Sequence, residues 1–136
     1  MIRVIVVDDE SDVAEVLCEY LKIKKIEVVG RGNNGYDAFE LYKKFKPDVV
    51  LMDLVMPNYD GFYGLKKIRD FDPKSKIMII SASLSVSYVQ RLLELNVDSI
   101  SLKPYDVNNV IETIRQVNEG IKLKRVPNIF QRQLKQ

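Results

Sequence analysis

The chain has 136 residues, 46% of them apolar and 29% charged, with a mean hydropathy of −0.12; this is the profile of one soluble globular domain. Its single Cys, Cys18, cannot close an intramolecular disulfide, which excludes a secreted disulfide scaffold. The complete absence of His removes His-dependent triads, His-based acid–base chemistry and most zinc sites. Chemistry is left to carboxylates, Lys, hydroxyls and backbone. No apolar run approaches the roughly 18 to 20 residues that span a bilayer. The N-terminus turns acidic at Asp8, too early for a signal peptide, so a cytoplasmic location is expected. The net charge of +2 is unevenly spread. Lys122, Lys124, Arg125, Arg132 and Lys135 face only Glu119 after residue 118, giving a basic tail on a mildly acidic body.

Five short β-branched apolar runs predict strands at Ile2–Val7, Ile26–Val29, Val49–Met52, Ile77–Ile80 and Ile100–Leu102, buried on both faces. Helical stripes lie between them. Val13, Val16, Leu17, Tyr20 and Leu21 form the first, and Ala38, Leu41, Tyr42 and Phe45 the second, after Asn34-Gly35. Phe62, Leu65 and Ile68 mark the third, introduced by Pro57 and Gly61. Val89, Leu92 and Leu93 mark the fourth, with Asn96 suited to a left-handed cap after it. Val107, Val110, Ile111, Ile114 and Val117 complete the fifth. Strict β/α alternation predicts a doubly wound α/β fold with a five-stranded parallel sheet and right-handed crossovers. One domain is expected over 1–119, followed by a tail or linker over 120–136 with a short helix after Pro127.

In an open parallel sheet, ligands bind at the carboxyl ends of the strands. Here those ends carry Asp8-Asp9-Glu10, Asp53, Ser81-Ala82-Ser83 and Lys103-Pro104. Clustered carboxylates raise one another's pKa unless a cation compensates them. A hard divalent ion with oxygen ligands, such as Mg²⁺, resolves the repulsion. A phosphoryl group is its natural companion, with Lys and hydroxyl groups on the phosphoryl oxygens and one carboxylate as nucleophile.

Asp8-Asp9, the run Met52-Asp53-Leu54-Val55-Met56-Pro57-Asn58-Tyr59-Asp60-Gly61, Ser81-Ala82 and Lys103-Pro104 together resemble the receiver domain of two-component response regulators. The resemblance covers residues 1 to 119 and implies the flavodoxin-like strand order 2-1-3-4-5. It implies that Asp53 accepts a phosphoryl group from the phosphohistidine of a histidine kinase or phosphotransfer protein. Asp9 would ligate Mg²⁺ directly and Asp8 mainly through water, with Asp53 and the Val55 carbonyl completing the set. Lys103 and the Ser81 hydroxyl would each bind a phosphoryl oxygen. The Lys103–Pro104 peptide is commonly cis in this family and would aim Lys103 inward. Phosphorylation would bias the surface of the fourth helix, fifth strand and fifth helix toward a downstream partner. The resemblance points to chemotaxis as a pathway, and a monomer or weak homodimer is expected.

One departure stands out. The family usually places an aromatic residue three positions before the Lys, and here that position is Ile100. This favours, as an alternative, a receiver-fold scaffold that works without phosphorylation. A haloacid-dehalogenase-type phosphatase would want a second Asp at position 55, where this chain has Val55. A flavin carrier would want a phosphate-binding loop after the first strand, not three acids. The tail lacks a recognition fold, so no specific nucleic-acid or membrane binding is expected of this chain.

Overall fold

A computed structural model describes residues 1–123. Its elements alternate without exception: β1 (Arg3–Val7), α1 (Ser11–Ile23), β2 (Glu27–Gly32), α2 (Gly35–Phe45), β3 (Val49–Met52), α3 (Gly61–Phe71), β4 (Ile77–Ser81), α4 (Val86–Glu94), β5 (Ser99–Leu102) and α5 (Val107–Asn118). All strand pairings are parallel, and the sheet order is β2-β1-β3-β4-β5. The doubly wound α/β sheet with five helices stands as the sequence implied.

The order explains the burial. β1, β3 and β4 lie inside the sheet and are covered on both faces, so Val4–Val7, Val49–Met52 and Ile77–Ile80 are all buried. One layer packs Ile5, Val7, Val50, Met52, Ile77 and Ile79 under α2, α3 and α4 residues such as Ala38, Leu65 and Leu92. The other packs Val4, Val6, Leu51, Met78 and Ile80 under α1 and α5, through Leu17, Leu21, Ile111 and Ile114.

Three expectations change at the margins. β2 is an edge strand and only half buried, and it runs on through Gly30, Arg31 and Gly32. Its glycines let α2 lie close: a Cβ on Gly30 would come within 2.9 Å of Leu41, and one on Gly32 within 2.7 Å of Asp37. In α1, Val16 and Tyr20 belong to the apolar stripe but are 60% and 44% exposed. The stripe is wider than the face that the sheet and α5 cover. Finally, residues just after α5 return to the body: the Leu123 amide donates to the Asp98 carbonyl at 2.8 Å, and Leu123 bridges Ser99 in parallel. The basic residues from Lys124 onward, and the helix expected after Pro127, lie outside the described residues.

Helix ends follow local chemistry. Asn34, Asp60, Ser85 and Asp106 each accept a backbone N–H from the first turn of α2, α3, α4 and α5 respectively. Asn96 takes a left-handed φ of 57° just beyond α4, as expected of a residue that tolerates that conformation. Among the described residues no helix is long and apolar enough to cross a membrane.

One side-chain bond at the end of α3 carries a pH signature. The Tyr42 hydroxyl donates to Asp72 Oδ2 at 2.6 Å. That bond holds the Asp72 carboxyl below its ordinary value, and burial with the same bond lifts the Tyr42 phenol well above its own. A carboxylate whose folded pKa is depressed contributes stability above its unfolded pKa and loses it as pH falls through the folded one. Tyr42→Phe should therefore raise the Asp72 pKa in a carboxyl-carbon NMR titration. It should also cost about 1 kcal/mol near neutrality, and that deficit should shrink below the carboxylate range.

Candidate functional site

The site lies at the carboxyl ends of β1, β3, β4 and β5, and the sheet register sets its geometry. Asp8 directly follows β1, where its amide donates to the Gly32 carbonyl at 3.0 Å. Asp53 directly follows β3, and its amide donates to the Val7 carbonyl at 2.9 Å. The parallel pairing of Val7 with Met52 thus carries both carboxylates to neighbouring positions at one sheet end. Ser81 closes β4 and accepts the Lys103 amide on its carbonyl at 3.0 Å. The Lys103–Pro104 peptide is cis.

The side chains converge. Lys103 Nζ donates to Asp8 Oδ2 at 2.7 Å and to Asp53 Oδ2 at 3.2 Å. Asp8 and Asp53 are each only 7% exposed. Two carboxylates drawn this close out of water need a compensating charge, and the ammonium supplies it. Burial pushes the Asp53 carboxyl above its ordinary value, against the pull of Lys103 and of the Leu54 amide, which donates to Oδ1 at 2.7 Å. Burial alone would depress the Lys103 ammonium. The hydrogen bond to Asp8 and the charges of Asp53 and Asp8 outweigh it and leave that group above its ordinary value.

Ser81 is buried at 1% exposure, and its Oγ accepts the Ser83 amide at 3.1 Å. That bond uses an oxygen lone pair, so the hydroxyl proton stays available for another acceptor. Val55 sits in the β3–α3 loop with its side chain 48% exposed. The loop is held in place by the Gly61 amide, which donates to the Leu54 carbonyl at 2.7 Å. Any Cβ at Gly61 would collide with the Asp53 carbonyl, which is why the turn into α3 needs glycine there. Val13, Ala14, Leu17 and Tyr105 wall one side of the pocket, and burial raises the Tyr105 phenol above its ordinary value.

Asp9 is the residue the structure sets apart. It is exposed, whereas carboxylate oxygens of Asp8, Glu10 and Asp53 lie within 4.8 Å of one another. Glu10 was part of the acidic run but was assigned no role by sequence. Its approach depends on a turn in which the Glu10 amide donates to Asp8 Oδ1 at 2.9 Å. The donor set is carboxylate oxygen throughout, with no nitrogen or sulfur, and so it fits a hard ion such as Mg²⁺.

Comparisons with known proteins identify the family of the chain. The profile of the response regulator receiver domain matches residues 4–115. The chain is 32% identical to the chemotaxis protein CheY of Thermotoga maritima over 117 residues, covering 86% of this chain and 98% of that protein. Among solved structures it resembles the signal receiver domain of the response regulator NarL from Mycobacterium tuberculosis. The TM-score is 0.82 at 28% identity, covering 88% of this chain and 97% of that one. It also resembles the CheX–CheY–BeF3–Mg²⁺ complex from Borrelia burgdorferi, with a TM-score of 0.80 at 25% identity, covering 85% and 88%. Receiver domains are signalling modules, not classical enzymes, and they bind Mg²⁺ in an acidic pocket of this kind. The chain belongs to the response regulator receiver domain family, the phosphoacceptor module of two-component signalling.

Proposed function

We propose that Asp53 is the phosphoacceptor and that Lys103 and Ser81 hold the transferred group. The carrying observation is the placement of Lys103 Nζ between Asp8 and Asp53, at 2.7 and 3.2 Å. Asp53 Oδ2 attacks phosphorus, forming the acyl-phosphate O–P bond. The N–P bond of the donor's phosphohistidine breaks, and its electron pair returns to the imidazole nitrogen. These 136 residues contain no His, so the phosphohistidine is supplied from outside them, by a histidine kinase or phosphotransfer protein. Lys103 then exchanges its contact with the Asp53 oxygen for one with a phosphoryl oxygen, and the Ser81 proton bonds a second.

Asp8, Asp9, Asp53 and the Val55 carbonyl would hold Mg²⁺, with Glu10 near enough to join them through water. When bound, the ion neutralises phosphoryl oxygen charge and draws the carboxylates together. The domain thereby catalyses its own phosphorylation. It also catalyses its own dephosphorylation, with Val55 and Ser83 bordering the path of an attacking water. The signal passes to a downstream partner through α4, β5 and α5, where Ile100, 4% exposed, stands in the usual aromatic position. No ring swing can occur at this position, and any switch there works through aliphatic repacking. An intact Asp8–Lys103–Asp53 cluster argues against a scaffold that ignores phosphorylation, since a decayed switch has no need for two buried acids.

The test is an intact-mass measurement after incubation with Mg²⁺ and a small acyl-phosphate donor. One phosphoryl adduct is expected on the wild type, lost in Asp53→Asn and in EDTA. An adduct that survives Asp53→Asn, or that forms equally in EDTA, would contradict the assignment. No adduct, together with no response to beryllofluoride, would restore the scaffold.

A further inference from the structure

Six aromatic side chains gather on α2, α3 and the loop between β3 and α3, and none of them belongs to the acidic cluster. The Tyr59 ring stands 5.5 Å from that of Tyr36 and 4.8 Å from that of Tyr63. Phe71 meets Phe39 edge-on at 6.0 Å and Tyr42 at 6.4 Å. Lys67 joins the two groups, its Nζ 5.4 Å from the Phe39 ring centre and 5.9 Å from that of Tyr63. Tyr42 is the buried floor of this belt, while Tyr36, Tyr59 and Phe71 are 46%, 41% and 49% exposed. The fold does not account for that exposure, because the sheet-facing sides of both helices are already filled by Ala38, Leu65 and Ile68. Contiguous exposed rings with a polar surround are the composition of an interaction surface.

Charge selects the partner. Lys43 Nζ lies 4.4 Å from the Phe39 ring centre and pairs with Glu40 at 2.9 Å. Lys67 also rests on ring faces, yet it makes no ion pair among the described residues. Lys44 and Lys66 are exposed on the same two helices. Ammonium groups fixed on ring faces repel a basic partner and attract carboxylates. We propose that this belt is a docking surface for an acidic peptide segment of another protein. Its carboxylates would meet Lys67 and its apolar side chains would lie on Tyr36, Tyr59 and Phe71. A single-stranded nucleic acid would also stack on rings, but it needs an unbroken cationic track. Asp37, Glu40 and Asp70 interrupt one here.

The test is a titration of the ¹⁵N-labelled full chain, read by backbone amide shifts, with a poly(Glu-Tyr) copolymer and, separately, an oligothymidylate. The copolymer should shift amides centred on residues 36–43 and 59–71. Lys67→Glu and Tyr59→Ala, both exposed substitutions, should keep the wild-type spectrum elsewhere and weaken binding about tenfold or more, equivalent to about 1.4 kcal/mol. Shifts centred on residues 119–136 would assign the binding to the basic tail and overturn the proposal. So would equal shifts from oligothymidylate, unchanged binding by Lys67→Glu, or no shifts at all.

Discussion

Arg69→Ala should cost about 3–5 kcal/mol of folding stability, the loss expected when one partner of a buried ion pair is removed. Arg69 leaves α3 and fans its guanidinium across two connecting segments, the α3–β4 loop and the α4–β5 turn. Nε donates to Ser75 Oγ at 3.0 Å, Nη1 to the Asn96 carbonyl at 3.0 Å, and Nη2 to Asp98 Oδ2 at 2.5 Å. Asp98 is 5% exposed and also accepts the Ile77 amide on Oδ2 at 2.7 Å. One guanidinium therefore ties α3 to the start of β4 and to the turn that feeds β5. Without it, Asp98 remains a buried charge with a single amide donor. Urea unfolding of Arg69→Ala measures the loss. Adding Asp98→Asn should return part of it, because the Asn oxygen still accepts from Ile77 while the uncompensated charge is gone. A loss under about 1 kcal/mol in the single variant would show that the pair behaves as a solvated surface bridge.

Lys103→Met should slow phosphoryl incorporation from a small acyl-phosphate donor by about a hundredfold, the usual consequence of losing one charged donor to a developing oxyanion. Met keeps the length of the side chain and its contacts while removing the ammonium. The metal-free variant should also be less stable at neutral pH, because Asp8 and Asp53 then face each other without a cation. The pH dependence has a definite sign. Burial already raises the Asp53 carboxyl above its ordinary value, and loss of Lys103 raises it further. An acid whose folded pKa is raised destabilises the fold above that pKa and is relieved by protonation as pH falls toward it. The stability gap between Lys103→Met and wild type should therefore narrow on acidification in EDTA. Adding Asp53→Asn should narrow it at neutral pH. Incorporation at the wild-type rate would remove Lys103 from the reaction.

How far the sequence carried depends on the range of each interaction. Strand and helix positions were legible because apolar runs and i, i+3, i+4 stripes are local. Strand order came with the motif resemblance, whereas Asp53 and Lys103 stood out already as strand-end residues and took only their roles from it; the sheet brings them together across 50 positions. Glu10 was missed as a neighbour of Asp53, because its approach rests on the turn at Asp8 and not on any spacing of acids. The Arg69–Asp98 pair left no signal either, since nothing in the pattern links two opposite charges 29 positions apart. Val16 and Tyr20 misled in the opposite way. Periodicity shows which residues share a helix face, but the placement of α5 decides how much of that face is covered. Gly35 and Gly64 explain why α2 and α3 pack so closely: a Cβ on Gly64 would come within 3.1 Å of the Gly35 Cα and 2.7 Å of Met52 Sδ. Neither glycine could be read that way before the two helices were seen side by side.

Which of the clustered carboxylates carries the phosphoryl group can be read directly. Borohydride reduces an aspartyl acyl phosphate to homoserine, which marks the acceptor permanently. The chain would be phosphorylated with Mg²⁺ and a small donor, reduced, digested and sequenced by mass spectrometry. Homoserine is expected at position 53 alone, and nowhere when EDTA is present. Homoserine at position 8, 9 or 10, or spread across several acids, would contradict it.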